Sequence, residues 1–258
     1  MQVKEIKKLR SGKYKLRIDD STIMTYDDVI LKNKLLYNKE VDNSCYEQIE
    51  FDSEYYDAYY KAVNHILRKL RSTLEIKAYL DNLELSEEAQ EKIISKLQEI
   101  GLLNDQAFIK AYISDSFHLT NDGPYKIHNY LLSQEIDESM IEEEIGKLDY
   151  EEIKLKLKKL IEKKISKDKK NSSYRLKQKI VLEMTNLGYS KDMICEILDG
   201  YELKDNTKMQ QEYDKLYQKY HRKLEGKELY QKIKEKLYSK GFHINEIQAY
   251  IKEKNIGE

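Results

Sequence analysis

The stretch that decides the fold is residues 72–101, which read STLEIKAYLDNLELSEEAQEKIISKLQEIG. Ile76 and Leu80 lie four residues apart, so a helix would carry both on one face. The serine that opens the stretch is followed three residues later by Glu75, which is the pattern of a capping box, and Ser86 is placed to cap a second helix. The stretch therefore predicts two short helices joined by a turn.

A third helix precedes this pair. Ala58, Ala62, Ile66 and Leu70 recur every four residues, and this spacing predicts one apolar helix face from about Tyr55 onward. The unit that the sequence predicts is thus a bundle of three short helices.

The same unit recurs along the chain. An aliphatic column repeats at steps of 51, 53 and 53 residues, and a second column follows it four residues later. The columns consist of Ile76, Ile127, Ile180 and Ile233, and of Leu80, Leu131, Met184 and Leu237. Ser86, Asp137 and Ser190 repeat as caps, whereas the fourth copy has His243, so we expect its last helix to begin nearer Asn245. A fixed period near 50 with helical spacing inside each copy indicates a small helical module in tandem.

These patterns predict a mainly α protein. We expect tandem three-helix, helix-turn-helix-like repeats in an elongated, curved array, at residues 55–104, 105–150, 151–203 and 204–258. Only nine glycines and one proline in 258 residues agree with helix almost throughout.

The first 54 residues follow a different pattern. Tyr14–Ile18 alternates apolar and polar side chains after a similar run from Val3 to Leu9, which predicts a β-hairpin with a further strand at Thr22–Thr25. We expect a short helix over Tyr26–Asn38 and an acidic linker up to residue 54.

No known catalytic or cofactor pattern is found in the sequence. It lacks the glycine-rich nucleotide loops, a HExxH pair and a GxSxG elbow, so we predict a protein that is not an enzyme and needs no cofactor or metal. Cys45 and Cys195 lie far apart and are expected to be reduced thiols. The N-terminus lacks an apolar signal core and no long apolar run follows, which predicts a cytoplasmic location.

One segment carries a strong local charge. Between Ile153 and Lys179 the sequence has 12 basic residues against Glu162 and Asp168, although the whole chain has a net charge of only -1. These lysines either form a solvated helix face or bind an anionic partner, which would be a DNA backbone or an acidic protein groove. With one arginine and few amides, the segment is poorly suited to reading bases.

Two motifs resemble the RecX family of recombination regulators. The first is AVNHILRKLRSTLEIKAYL at Ala62–Leu80, with Arg71, Ser72, Glu75 and Ile76 in the family pattern. The second begins at Gly101 and reads GLLNDQAF, followed by Ala111 and Tyr112. Many members have a basic residue after that alanine-tyrosine pair, where this chain has Ser114-Asp115-Ser116. The fourth copy and the N-terminal hairpin resemble the long form of the family.

The resemblance implies a function as well as a fold. It implies a regulator that binds RecA filaments on single-stranded DNA and inhibits recombination, ATP hydrolysis and coprotease activity, acting as a monomer. The residues expected to contact filament or DNA are Arg68, Arg71, Lys154, Lys158, Lys163, Lys169 and Arg175. Two alternatives remain open: a helix-turn-helix protein acting on duplex DNA, and a helical scaffold for another protein.

The aliphatic columns lead to a stability prediction. Leu131→Ala should lower the free energy of unfolding by roughly 2–5 kcal/mol, because a packed core position loses its methyl groups and leaves a cavity. Lys158→Ala should cost almost nothing. Thermal melts followed by circular dichroism would compare both variants with the parent, and an unchanged Leu131→Ala melt would mean that the repeat register is wrong.

Overall fold

Helices make up most of the chain, and a small sheet lies at its N-terminal end, as the sequence predicts. The computed structural model describes residues 1–168, 171–201 and 206–256. The strands are β1 (Val3–Lys8), β2 (Tyr14–Ile18) and β3 (Ser21–Thr25). The helices are α1 (Asp27–Lys32), α2 (Asn43–Arg68), α3 (Thr73–Asp81), α4 (Glu87–Glu99), α5 (Asp105–Leu119), α6 (Pro124–Leu132), α7 (Glu138–Ile145), α8 (Tyr150–Lys167), α9 (Ser173–Asn186), α10 (Lys191–Asp199), α11 (Asn206–Tyr220), α12 (Gly226–Ser239) and α13 (Ile244–Ile256). Among the described residues, none of these helices combines the length and apolar character that crossing a bilayer would require.

The chain forms two compact units. The first contains Met1–Tyr112 and Leu131–Met140, and the second contains Ile113–Tyr130 and Ile141–Glu258. The division into four modules at residues 55, 105, 151 and 204 stays a prediction.

The N-terminal sheet is an antiparallel meander in the order β1-β2-β3. Leu16 and Ile18 on β2 are fully buried while Arg17 between them is exposed, because successive side chains of a strand point to opposite faces. The buried face packs on Val29, Ile30 and other apolar residues that follow the sheet. Burial on that face is what gives so small a sheet its stability.

Helix α1 is shorter than the predicted Tyr26–Asn38. It ends at Lys32, and turns follow in which Lys34 takes a left-handed conformation with φ of 51°. A residue with positive φ cannot continue a right-handed helix.

The predicted acidic linker is wrong, because this stretch forms the first half of the 26-residue helix α2. Asp42 caps the helix by accepting a hydrogen bond from the Cys45 backbone N–H at 2.7 Å. The carboxylate of Asp52 is buried, and it accepts hydrogen bonds from Lys32, Asn33 and Gln48. Partners from α1 and the turn after it thus neutralise charge that looks unfavourable for folding when the acidic stretch is read alone.

Helix α2 connects two apolar cores within the first unit. Its N-terminal half contributes Ile49 to the core beneath the sheet. Its C-terminal half contributes Ala58, Ala62 and Ile66 to the core around Ile76 of α3 and the apolar face of α4. The helix therefore ties the sheet to the first predicted three-helix module.

The repeated columns are the centres of burial, as expected for core positions. Ile76, Ile127, Ile180 and Ile233 are at most 1% exposed. The residues four positions later are fully buried, and Leu131 is one of them, whereas Lys158 is exposed. The caps also agree with the sequence: Ser72 forms a complete capping box with Glu75, and Ser86 and Ser190 cap α4 and α10. Helix α13 begins at Ile244, one residue before the predicted Asn245.

One contact recurs at the N-termini of the middle helices α3, α6 and α9. The N–H of Gly123, just before α6, donates to the Leu187 carbonyl at 2.6 Å, and the N–H of Ser172, just before α9, donates to the Lys240 carbonyl at 3.2 Å. At α3 the Ser72 hydroxyl donates to the Gln134 side chain at 2.9 Å. Gln134, Leu187 and Lys240 are 53 residues apart, in the turn that follows the middle helix of the next copy.

The same turns explain two of the glycines. Gly188 and Gly241 have φ of 88° and 84°, and a Cβ on Gly188 would lie 2.3 Å from the Lys126 backbone N. At the equivalent positions of the first two copies, Glu84 and Glu135 also have positive φ. The left-handed conformation itself therefore tolerates a side chain, and what requires glycine is the close approach to the Lys126 backbone at Gly188 and to the Ser172 and Arg175 side chains at Gly241.

Gly188→Ala should destabilise the fold more than Gly226→Ala does. Both glycines have positive φ, which costs alanine about 1–2 kcal/mol, but a Cβ on Gly226 would meet open space. The clash with Lys126 should add about 1–3 kcal/mol for Gly188→Ala. Urea unfolding followed by circular dichroism measures both, and equal losses would show that the backbone contact at α6 contributes nothing beyond the turn.

Candidate basic surface

The lysine-rich segment extends over two helices. Helix α8 ends at Lys167, and α9 begins at Ser173 because the Ser172 hydroxyl caps it, accepting from the Arg175 N–H at 3.2 Å. Of the predicted contact residues, Lys154, Lys158 and Lys163 lie on α8 and Arg175 lies on the first turn of α9. Lys169 lies outside the described residues.

The apolar residues of α8 fix which way its lysines face. Ile153, Leu157 and Ile161 are buried at intervals of four residues, so they hold one face of the helix against its own unit. The remaining positions must therefore lie at the sides of the helix or in solvent.

Several cations of the segment are already engaged by neighbouring helices. Lys154 forms an ion pair with Glu196 of α10 at 2.6 Å, and this hydrogen bond raises the pKa of Lys154. Lys164 pairs with Glu183 of α9, and Lys177 lies 3.8 Å from Asp199. These pairs connect α8, α9 and α10, so their charge is partly compensated within the unit.

Lys156 has a structural role. Its ammonium group donates to the backbone carbonyls of Phe117 and Asp122, and it lies 4.5 Å from the Phe117 ring centroid. Burial lowers the pKa of Lys156, while the charge of Asp122 opposes that shift. This lysine closes the C-terminal end of α5, where backbone carbonyls lack partners within the helix.

Three exposed lysines form a stripe along α8, and Lys158 is exposed beside them. Lys159, Lys163 and Lys167 are exposed and follow one another at intervals of four residues, so each ammonium group is displaced by about 6 Å along the helix axis. Within residues 1–168, 171–201 and 206–256, none of the three has an ion-pair partner. Glu162, the acidic residue of this part of α8, accepts a hydrogen bond from the Tyr201 hydroxyl at 2.8 Å. We call Lys159, Lys163 and Lys167 the basic stripe.

The residues predicted from the sequence include the basic stripe only in part. Lys163 is among them but Lys159 and Lys167 are not, and Lys154, which is also among them, is paired with Glu196. The interval of four residues between Lys159, Lys163 and Lys167 is the feature of the sequence that predicts a stripe on one helix side. The ion pairs that remove Lys154 and Lys164 from the set depend on acidic residues of α9 and α10, and helical spacing within α8 does not reveal them.

The three arginines among the predicted contact residues differ in how exposed their side chains are. Arg175 is exposed on α9, and Arg68 is exposed on the last turn of α2. Arg71 is half-buried beside the capping box of α3, where it forms an ion pair with Glu75 at 3.3 Å. Arg68 and Arg71 belong to the first unit, whereas the basic stripe and Arg175 belong to the second.

Comparisons with known proteins find similarity to regulatory proteins named RecX. No family model matches the chain. It is 28% identical over 253 residues to "Regulatory protein RecX" of Bacillus subtilis (strain 168), covering 95% of each chain. It is also 28% identical over 257 residues to the protein of the same name from Halalkalibacterium halodurans, covering 96% of this chain and 97% of the other. A solved structure described as "Crystal structure of regulatory protein RecX" has a similar fold, with a TM-score of 0.67, 23% identity, and coverage of 77% of this chain and 98% of that one.

Lys156→Met should destabilise the protein and Lys159→Met should not. The first change removes a charged donor from two carbonyls and should cost about 1–3 kcal/mol, whereas the second affects an exposed side chain and should stay within about 0.5 kcal/mol. Both variants change the same residue type on α8, so urea unfolding compares them directly. Equal stability of the two variants would contradict the structural role of Lys156.

Proposed function

Since the chain belongs to the RecX family of regulatory proteins, we propose that it binds the RecA filament on single-stranded DNA and inhibits its recombinase, ATPase and coprotease activities. The observation that carries the proposal is the length of the similarity. It extends over 95% or more of this chain in both relatives and over nearly all of their own length. The likeness therefore concerns the whole protein and not one shared helical module.

The basic stripe supports contact with the DNA strand of such a filament. Three exposed ammonium groups along one helix suit successive phosphates, because lysine binds phosphate as a point charge without a fixed geometry. The stripe carries no arginine or amide that would read bases. Binding of this kind is independent of sequence, as a regulator of filaments on any single strand requires.

Duplex binding through helix-turn-helix modules is less well supported. The last helix of each module would have to enter the major groove, yet α7 carries Glu138, Glu142, Glu143 and Glu144, and α10 carries Asp192, Glu196 and Asp199. Carboxylates on a recognition helix are repelled by the phosphates that line the groove. We therefore prefer the filament as the partner.

The proposal is tested with a cognate RecA. Adding the protein to RecA and single-stranded DNA should lower the rate of ATP hydrolysis, and binding should be tighter to the filament than to bare single strands. Unchanged hydrolysis at concentrations where binding is saturated would contradict the inhibitory role.

The variant Lys159→Gln, Lys163→Gln, Lys167→Gln tests the basic stripe within this function. Loss of three phosphate contacts should weaken filament binding severalfold and lower the slope of log K against log salt by about 2. The matched control replaces Lys227, Lys236 and Lys252, which are exposed on α12 and α13, with glutamine. Equal inhibition and equal salt slopes for the two triple variants would remove the basic stripe from the mechanism.

A further inference from the structure

A groove of about 900 Å³ separates two helices of the first unit. One wall is the α2 segment that contains Phe51, Asp52, Tyr55 and Tyr56, and the other wall is α4 from Glu88 to Glu99. This second wall spans about 16 Å of helix, which is long enough to lie against three turns of another helix.

The α2 wall of the groove is aromatic. Phe51 is 46% exposed. Tyr55 and Tyr56 are half-buried, and their rings meet edge to face with 5.2 Å between the ring centroids. The Lys96 ammonium lies 5.0 Å and 4.5 Å from the ring centroids of Tyr56 and Tyr59. The groove therefore offers apolar surface at its base, with Phe51 open to an incoming side chain.

The charge left uncompensated in the groove is negative. Four carboxylates line it against three lysines. Lys32 pairs with Asp52 at 2.8 Å and Lys92 pairs with Glu88 at 2.7 Å, whereas Lys96 lies over the tyrosine rings and keeps its charge. Glu91 and Glu99 line the groove and are exposed, and neither has an ion-pair partner in the part of the chain that the structure describes. Along the same helix as Phe51, the exposed residues Glu47, Glu50 and Glu54 add further negative charge.

We infer that this groove binds a basic amphipathic helix of a partner protein. An apolar side chain of that helix would contact Phe51 and Tyr55, and lysine or arginine side chains on either side of it would reach Glu91 and Glu99. Two antiparallel or parallel helical walls with an apolar base are the usual receptor for an amphipathic helix, and the free carboxylates select a cationic one. They equally repel the phosphates of a nucleic acid, so the occupant is protein.

The inference goes beyond the proposed function and does not depend on it. The basic stripe belongs to the second unit and would face phosphates, whereas this groove belongs to the first unit and would face a cationic protein segment. The test below contains neither RecA nor DNA, so its failure and the failure of the filament proposal are distinguishable.

The test measures fluorescence anisotropy of a labelled amphipathic helical peptide of about 18 residues made of lysine, leucine and alanine, roughly 27 Å long, titrated with the full chain. The double variant Glu91→Lys, Glu99→Lys should bind the peptide at least about tenfold more weakly than the parent, since attraction becomes repulsion. The matched control Glu228→Lys, Glu253→Lys makes the same charge change on exposed positions of α12 and α13 and should bind like the parent.

A second variant keeps the test decisive if the charge reversals disturb folding. Phe51→Ala removes a half-exposed ring and should preserve the melting temperature while weakening peptide binding severalfold. Equal binding by Phe51→Ala and the parent, or equal binding by the two double variants, would overturn the inference. Sedimentation of the parent alone would also overturn it by showing a dimer that Glu91→Lys, Glu99→Lys dissociates, because the occupant would then be a second copy of this chain.

Discussion

The polar groups at the start of the middle helices α3, α6 and α9 impose the constraint on which the repeated fold depends. Helix N-termini leave backbone N–H donors without partners inside the helix. In this protein the turn that follows the next middle helix supplies an acceptor: the Leu187 and Lys240 carbonyls accept from the N–H groups of Gly123 and Ser172, and the Gln134 side chain accepts from the Ser72 hydroxyl. Where the turn meets a backbone directly it must be glycine, as at Gly188, and at Gly241 a Cβ would meet the side chains of Ser172 and Arg175. A local property of one helix thus fixes a residue type about one repeat further along the chain.

Which charged side chains are paired in this protein depends on the neighbouring helices more than on the local sequence. The lysines of α8 look alike in the sequence, yet Lys154 and Lys164 are held by carboxylates of α10 and α9, and Lys156 closes the end of α5. The three ammonium groups of the basic stripe stay solvated on the same helix. An exposed ion pair contributes little to stability, but it does decide which cations stay available for a ligand.

The acidic residues of α2 behave in the same way. Asp52 is buried and satisfied by Lys32, Asn33 and Gln48, so it serves the fold. Glu47, Glu50 and Glu54 on the same helix stay exposed. The buried carboxylate of α2 therefore holds α1 and the turn after it, whereas the exposed carboxylates face solvent, because they occupy different faces of the helix.

The sequence by itself determined the helical class, the apolar columns and the caps, because these depend on spacing within one helix and on the residue at its first position. It also predicted the three strands of the N-terminal sheet, since alternation is local too. It misplaced the acidic stretch before Tyr55, which is helical and whose buried Asp52 is satisfied by Lys32 and Asn33 from outside that helix. Likewise the basic stripe and the groove between α2 and α4 depended on tertiary structure. Ion pairs and grooves join residues that are distant in the chain, and no periodicity within a single helix encodes which of them will meet.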